Sequence, residues 1–153
     1  NISSAPNVMC QLINRPNFTV TTNVKAVLEN GDSCGLIVTG GSYYGLKITK
    51  INGKLIAQQV SYELTRSEDK EEIVGGSMPL ETDQLYLRLK VSYPNCIESY
   101  ISTDNKNYVK IGNTVEYEVS RKSWVGGKIG IYCTSGNSET HKSYAKYDYI
   151  NVE

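Results

Sequence analysis

The sequence predicts an all-β domain, an antiparallel β-sandwich of the jelly-roll kind, on three observations. Apolar and polar residues alternate with period two along most of the chain, turn signals recur at short and regular spacing, and no ten-residue stretch between them carries helical periodicity. The 153 residues suit one domain over 1–153, and a chain of that length buries roughly 70% of the surface its extended form exposes. An immunoglobulin-like sandwich would be shorter and would carry a Cys–Trp–Cys pattern that is missing here. No repeat emerges at solenoid or propeller periods.

The elements follow in order. Residues 18–28 alternate Phe, Val, Thr and Ala into a long strand that ends at the turn Glu29-Asn30-Gly31-Asp32. Leu36-Ile37-Val38 forms the next strand and Gly40-Gly41 closes it. Residues 43–51 and 54–64 make a hairpin about Asn52-Gly53, because Asn-Gly supplies the two positive-φ positions of the favoured two-residue turn. The charged run Ser67-Glu68-Asp69-Lys70-Glu71-Glu72 reads as a solvated connection. Leu85, Leu87, Leu89 and Val91 alternate with Tyr86, Arg88, Lys90 and Ser92, which gives one dry face and one polar face. Residues 97–102 and 108–111 flank the turn Thr103-Asp104-Asn105-Lys106, residues 128–134 form a core strand, and residues 144–152 the last one.

Composition excludes several classes of function. Sixteen basic and sixteen acidic residues leave no net charge, so the broad basic footprint of a nucleic-acid or anionic-membrane binder is missing. No apolar run approaches the roughly 18 residues of a membrane span. No charged-then-apolar run of the signal-peptide kind opens these residues, and because Asn1 is not a natural start such a segment is expected to have been removed. Cys10, Cys34, Cys96 and Cys133 are scattered without a C-x-x-C pair, which argues against zinc and for free thiols. Twelve tyrosines against one Trp and one Phe suit half-buried strands and wet binding faces. A single histidine leaves little material for His-based catalysis.

Three motifs invite chemistry. Gly31-Asp32-Ser33-Cys34-Gly35 matches G-x-S-x-G, with His141 downstream, but a nucleophile elbow needs a helix after the serine, and a strand and turn follow instead. Glu98 is a strand-face carboxylate beside Tyr100, and alone it reads as a hydrogen-bonded surface group rather than one of a hydrolytic pair. Asp148 in Tyr147-Asp148-Tyr149, with Glu29 and Asp32 of the first turn, could hold a structural calcium ion, since a hard cation takes oxygen ligands.

A resemblance emerges from five stretches in order. Residues 7–22 carry an apolar run, then Arg15-Pro16 and Phe18-Thr19-Val20-Thr21-Thr22. Cys34-Gly35-Leu36-Ile37-Val38 precedes Tyr43-Tyr44-Gly45-Leu46. Ile101-Ser102-Thr103-Asp104 precedes Tyr108 and Ile111-Gly112, with Asn105 standing where the pattern has a turn glycine. Ser123-Trp124-Val125-Gly126-Gly127 runs into Lys128-Ile129-Gly130-Ile131-Tyr132-Cys133, and Tyr147-Asp148-Tyr149-Ile150-Asn151-Val152 closes the chain. Together they resemble the C-terminal, concanavalin A-like β-sandwich of family 43 glycoside hydrolases, chiefly β-xylosidases, which is also classed as a xylan-binding module. The resemblance implies that the catalytic carboxylates lie in a separate propeller domain, the partner against which the sandwich packs. By position Trp124 matches the loop aromatic that some members carry towards the active-site mouth. It also implies a secreted or extracellular setting.

Three functions remain open on the sequence. The first is a non-catalytic carbohydrate-binding module for xylan or xylo-oligosaccharides of the plant cell wall, the second a buttress for the catalytic domain, and the third a small glycoside hydrolase. For the first, Tyr43, Tyr86, Tyr100, Trp124 and Tyr132 supply rings, and Lys47, Gln58, Arg88, Lys90 and Glu98 supply hydrogen-bonding groups. Parity places Tyr86, Arg88 and Lys90 on one polar face, and Tyr132 opposite Ile131. Neighbouring strands in one concave sheet would make Tyr86 and Tyr132 a single platform.

Overall fold

A computed structural model describes residues 7–13, 15–63, 71–117, 127–136 and 142–153. Twelve strands lie among them: β1 (Val8–Leu12), β2 (Phe18–Val27), β3 (Ser33–Gly40), β4 (Ser42–Ile51), β5 (Lys54–Tyr62), β6 (Ile73–Pro79), β7 (Gln84–Ser92), β8 (Cys96–Ser102), β9 (Val109–Glu116), β10 (Lys128–Thr134), β11 (Tyr144–Lys146) and β12 (Ile150–Val152). All pairings are antiparallel. The first sheet runs β1-β10-β3-β4-β5-β6, and the second runs β11-β2-β7-β8-β9 with β12 also paired to β2. The two sheets form the sandwich that the alternation predicts.

The core lies between them. Leu85, Leu87 and Leu89 of β7, Val20 and Val24 of β2, and Leu36, Leu46 and Ile48 of the facing sheet are fully buried. Each contributes about 1.5–3 kcal/mol through removal of its side chain from water. The hairpin between β4 and β5 turns at Asn52 (φ 50°) and Gly53 (φ 81°), the left-handed pair that this turn demands. Asn105 takes φ 60° at the turn position where the family pattern has glycine, which asparagine tolerates better than other side-chain-bearing residues.

Two side chains tie the sheets together at opposite edges. Gln59 of β5 reaches β9, where its Nε2 donates to the Asn113 carbonyl at 2.6 Å and its Oε1 accepts the Asn113 N–H at 3.1 Å. Tyr147, between β11 and β12, reaches the first sheet. Its hydroxyl accepts the Gly35 N–H at 2.9 Å and lies 2.8 Å from the Tyr132 carbonyl and 3.0 Å from that of Gly35. The cysteines are free thiols, with Cys34 and Cys133 opposite each other across β3 and β10.

Two strands lie outside the sequence expectations, β1 and β6, and both are edges of the first sheet. Four of the five residues of β1 and five of the seven of β6 are exposed. Neither strand has a dry face to impose alternation, so period two is weak in both. Residues 144–152, expected as one strand, divide into β11 and β12, both on β2. The serine of the G-x-S-x-G match opens β3 and is buried, with no helix after it. His141 lies outside the described residues.

Candidate functional site

The residues expected to bind sugar divide between the two outer faces of the sandwich. Tyr43 and Lys47 on β4, Gln58 on β5 and Tyr132 on β10 lie on the outer side of the first sheet. Tyr86, Arg88 and Lys90 on β7, with Glu98 and Tyr100 on β8, lie on the outer side of the second. The facing expected on β7, β8 and β10 is observed, but the joint platform of Tyr86 and Tyr132 does not form, because β7 and β10 belong to different sheets. Trp124 falls in residues 118–126, outside the described ones.

On the first sheet the rings are packed. Tyr132 is 1% and Tyr43 2% exposed, in a second apolar cluster with Ile37, Val60 and Tyr62. Tyr43 stacks on Tyr62 with centroids 5.1 Å apart. Its hydroxyl donates to Glu72 Oε2 at 2.6 Å, while Lys47 Nζ lies 2.6 Å from the other carboxylate oxygen. Glu72 therefore anchors this face, although the charged run it ends reads from sequence as a solvated connection. The Tyr132 hydroxyl is buried with no hydrogen-bond partner among the described residues, and burial pushes its phenol well above the ordinary range.

The second sheet presents its groups to solvent. The Arg88 guanidinium lies 3.6 Å over the centre of the Tyr108 ring, and its Nε donates to Thr21 Oγ1 at 3.0 Å. Tyr86 shares this strand face with Arg88, and both stand near Tyr108 and Tyr149. Burial raises the phenols of Tyr108 and Tyr149 while the guanidinium pulls them back. Tyr108 is held by the turn before it, through a 2.5 Å hydrogen bond from its hydroxyl to Asn105 Oδ1. That turn is organised by Asp104, whose carboxylate accepts from the Lys106 and Asn107 N–H groups, Asn107 Nδ2 and Ser102 Oγ. These donors hold it far below the usual carboxylate range. Thr22 Oγ1 fixes Tyr149 by donating to its carbonyl.

The strand carboxylates are engaged. Glu98 pairs with Lys110 at 2.6 Å and accepts from Thr114, and the lysine is the main cause of its lowered pKa. Asp148 accepts from Asn23 Nδ2 at 2.6 Å and returns its own N–H to Asn23 Oδ1 at 2.9 Å, with Lys146 Nζ 3.4 Å away. Asp32 is fully buried elsewhere. One oxygen accepts from Ser135 Oγ and the Gly136 N–H, and the other from Ser143 Oγ, which in turn accepts the Glu29 N–H. Asp148 and Asp32 thus keep separate partners, and among the described residues no group of three or more His, Cys, Asp or Glu side chains is gathered for a metal ion.

Sequence reasoning missed Tyr108 and Tyr149 as site residues, although both stand in the stretches that carry the family pattern. The available signal was the turn at Asp104, whose spacing hands Tyr108 to the strand face that Arg88 occupies.

The whole chain, residues 1–153, matches the family model described as the beta xylosidase C-terminal concanavalin A-like domain. No curated protein matches it in sequence. Among solved structures it is similar to a family 43 glycoside hydrolase engineered to display both endo-xylanase and exo-arabinofuranosidase activity, at 14% identity and TM-score 0.86, over 100% of this chain and 32% of that one. It is also similar to a bifunctional GH43-CE protein of Bacteroides eggerthii, at 19% identity and TM-score 0.88, over 100% of this chain and 19% of the other. A third is the family 43 protein BlXynB of Bacillus licheniformis, at 16% identity and TM-score 0.80, over 97% and 29%. The chain therefore spans a third or less of these larger chains, and at such identities the likeness is one of fold.

Proposed function

The chain belongs to the family of concanavalin A-like C-terminal domains of β-xylosidases, and from that premise we propose that it is a non-catalytic, glycan-binding accessory domain of a secreted glycoside hydrolase. Its ligand on this reading is xylan or xylo-oligosaccharide, bound on the outer face of the second sheet. The observation that carries the reading is the cluster of Tyr86, Tyr108 and Tyr149 around Arg88, outside the core, with Tyr149 exposed and the other three half-buried. Sugar recognition needs a ring for the apolar pyranose face and polar groups for the hydroxyls, and this face has both. The first sheet offers less, because Tyr43 and Tyr132 are already packed.

Calorimetry of the 153-residue chain against xylo-oligosaccharides, arabinoxylan, cellulose and β-glucan tests the proposal. Tyr86→Ala and Tyr108→Ala should each weaken xylo-oligosaccharide binding roughly five- to tenfold, since a stacked ring contributes on the order of 1 kcal/mol. Normal binding by both variants would remove the second sheet as the site. Release of reducing sugar by the chain alone would make it an enzyme, a reading that the engagement of Glu98 by Lys110 opposes.

The buttress reading has an observation of its own. Met9 and Leu12 on β1, with Ile73 and Val74 on β6, leave large apolar side chains exposed along both edges of the first sheet. Such edges favour a covering partner, for which a family 43 catalytic domain is the candidate. The two readings use different faces and are compatible.

A further inference from the structure

Resting on the glycan-binding reading, we propose that the outer face of the second sheet selects an acidic sugar, a uronate residue of an oligosaccharide, whose carboxylate pairs with Arg88.

The argument begins with what Arg88 lacks. Nearby acids are spoken for: Glu98 by Lys110, Asp148 by Asn23 and Lys146, and Asp104 by the donors of its own turn. Arg88 is half-buried, yet among the described residues it has no carboxylate partner. Its Nε is used on Thr21, and among the described residues the terminal N–H groups of the fork have no acceptor.

The fork is also held still. Stacking on Tyr108 at 3.6 Å and the bond to Thr21 fix the plane of the guanidinium, so little side-chain freedom remains to be lost on binding. A planar fork with terminal donors matches the two oxygens of a carboxylate, and charge-assisted pairs of this kind are the strong ones. Exposed Lys90 on the same strand and Lys25 on β2 add positive charge to this face, again without ion-pair partners among the described residues. Tyr86 and Tyr149 stand beside the guanidinium and offer rings for the pyranose that carries the acid. A neutral sugar would use those rings and leave the charge of Arg88 uncompensated.

Three probes separate this proposal from the reading beneath it: xylotetraose, xylotetraose bearing one glucuronic acid branch, and the same branched oligosaccharide with its carboxyl reduced to the alcohol. In calorimetry with the 153-residue chain, the uronate probe should bind about ten- to hundredfold tighter than either neutral one, the span that hydrogen bonds to a charged group give. Added salt should shrink that advantage, as it screens a partly exposed pair. Arg88→Gln should abolish the preference, so that within this variant the uronate probe and the two neutral probes bind with affinities equal to within about threefold, whatever the variant does to neutral binding as such. Arg88→Lys should restore only part of the preference, since it keeps the charge without the planar fork. Equal affinity for all three probes overturns the uronate proposal and leaves the glycan reading standing. Failure of all three to bind overturns both. A preference that survives Arg88→Gln overturns the assignment to Arg88. The reduced probe acts on the unaltered protein, so the test does not depend on how any variant folds.

Discussion

At Gly35 and Tyr132 the main chains of β3 and β10 share a tyrosine hydroxyl from the other side of the sandwich. Tyr147 accepts from one strand and donates to a carbonyl, which meets polar groups that would otherwise be buried and unpaired. Tyr147→Phe keeps the ring and removes that service, so it should cost about 1–3 kcal/mol, the penalty of stranding buried polar groups. For a chain of this size that lowers the melting temperature by about 2–4 °C per kcal/mol. A phenylalanine variant melting with the parent would mean that the strands bond directly once the hydroxyl is gone. The sequence marks Tyr147 only as part of its closing motif. Its partner groups lie 112 and 15 residues away, beyond the reach of any local pattern.

Strands fared unevenly according to how much of each is buried. β7 declares itself because Leu85, Leu87 and Leu89 must enter the core while Tyr86, Arg88 and Lys90 stay out. β1 and β6 sit at sheet edges, carry little core-facing surface, and so leave no periodic trace. The β5–β9 join illustrates a tie between elements. Gln59 is 2% exposed and carries both hydrogen bonds to the Asn113 main chain. Gln59→Leu should strand that N–H and carbonyl at the open edge and lower stability by about 1–3 kcal/mol in urea unfolding. The midpoint should fall with the slope unchanged. An unshifted midpoint would show that water serves Asn113 as well.

For the molecule as a whole, several acidic protons are kept in place by burial. Desolvation raises the Cys34 and Cys133 thiols and the Tyr132 and Tyr147 phenols above their ordinary values. The unfolded chain releases those protons at the ordinary values, whereas the folded chain retains them. Above about pH 9 the unfolded state therefore binds fewer protons, and stability must fall as pH rises. Melting temperatures should decline steadily between about pH 9 and 11, where unperturbed thiols and phenols titrate. Cys34→Ala should soften the lower part of the decline. A flat profile would mean that these groups are solvated in the native state.

The sequence by itself determined the fold class, the strands of the core and the side of its own sheet on which each residue lies. Alternation is a local property, enforced wherever one face must be dry. Asn52-Gly53 and the Asp104 turn were legible for the same reason, since backbone strain is decided within four residues. Only the tertiary structure decided which strands share a sheet. It placed β7 and β10 apart, sending Tyr86 and Tyr132 to opposite faces. It buried Tyr43 and Tyr132 outside the main core, and it brought Tyr149 from the end of the chain to Arg88 and Tyr108. Strand pairing is set by the summed burial of both sheets and by turns far apart in sequence, so residue parity constrains it only one strand at a time.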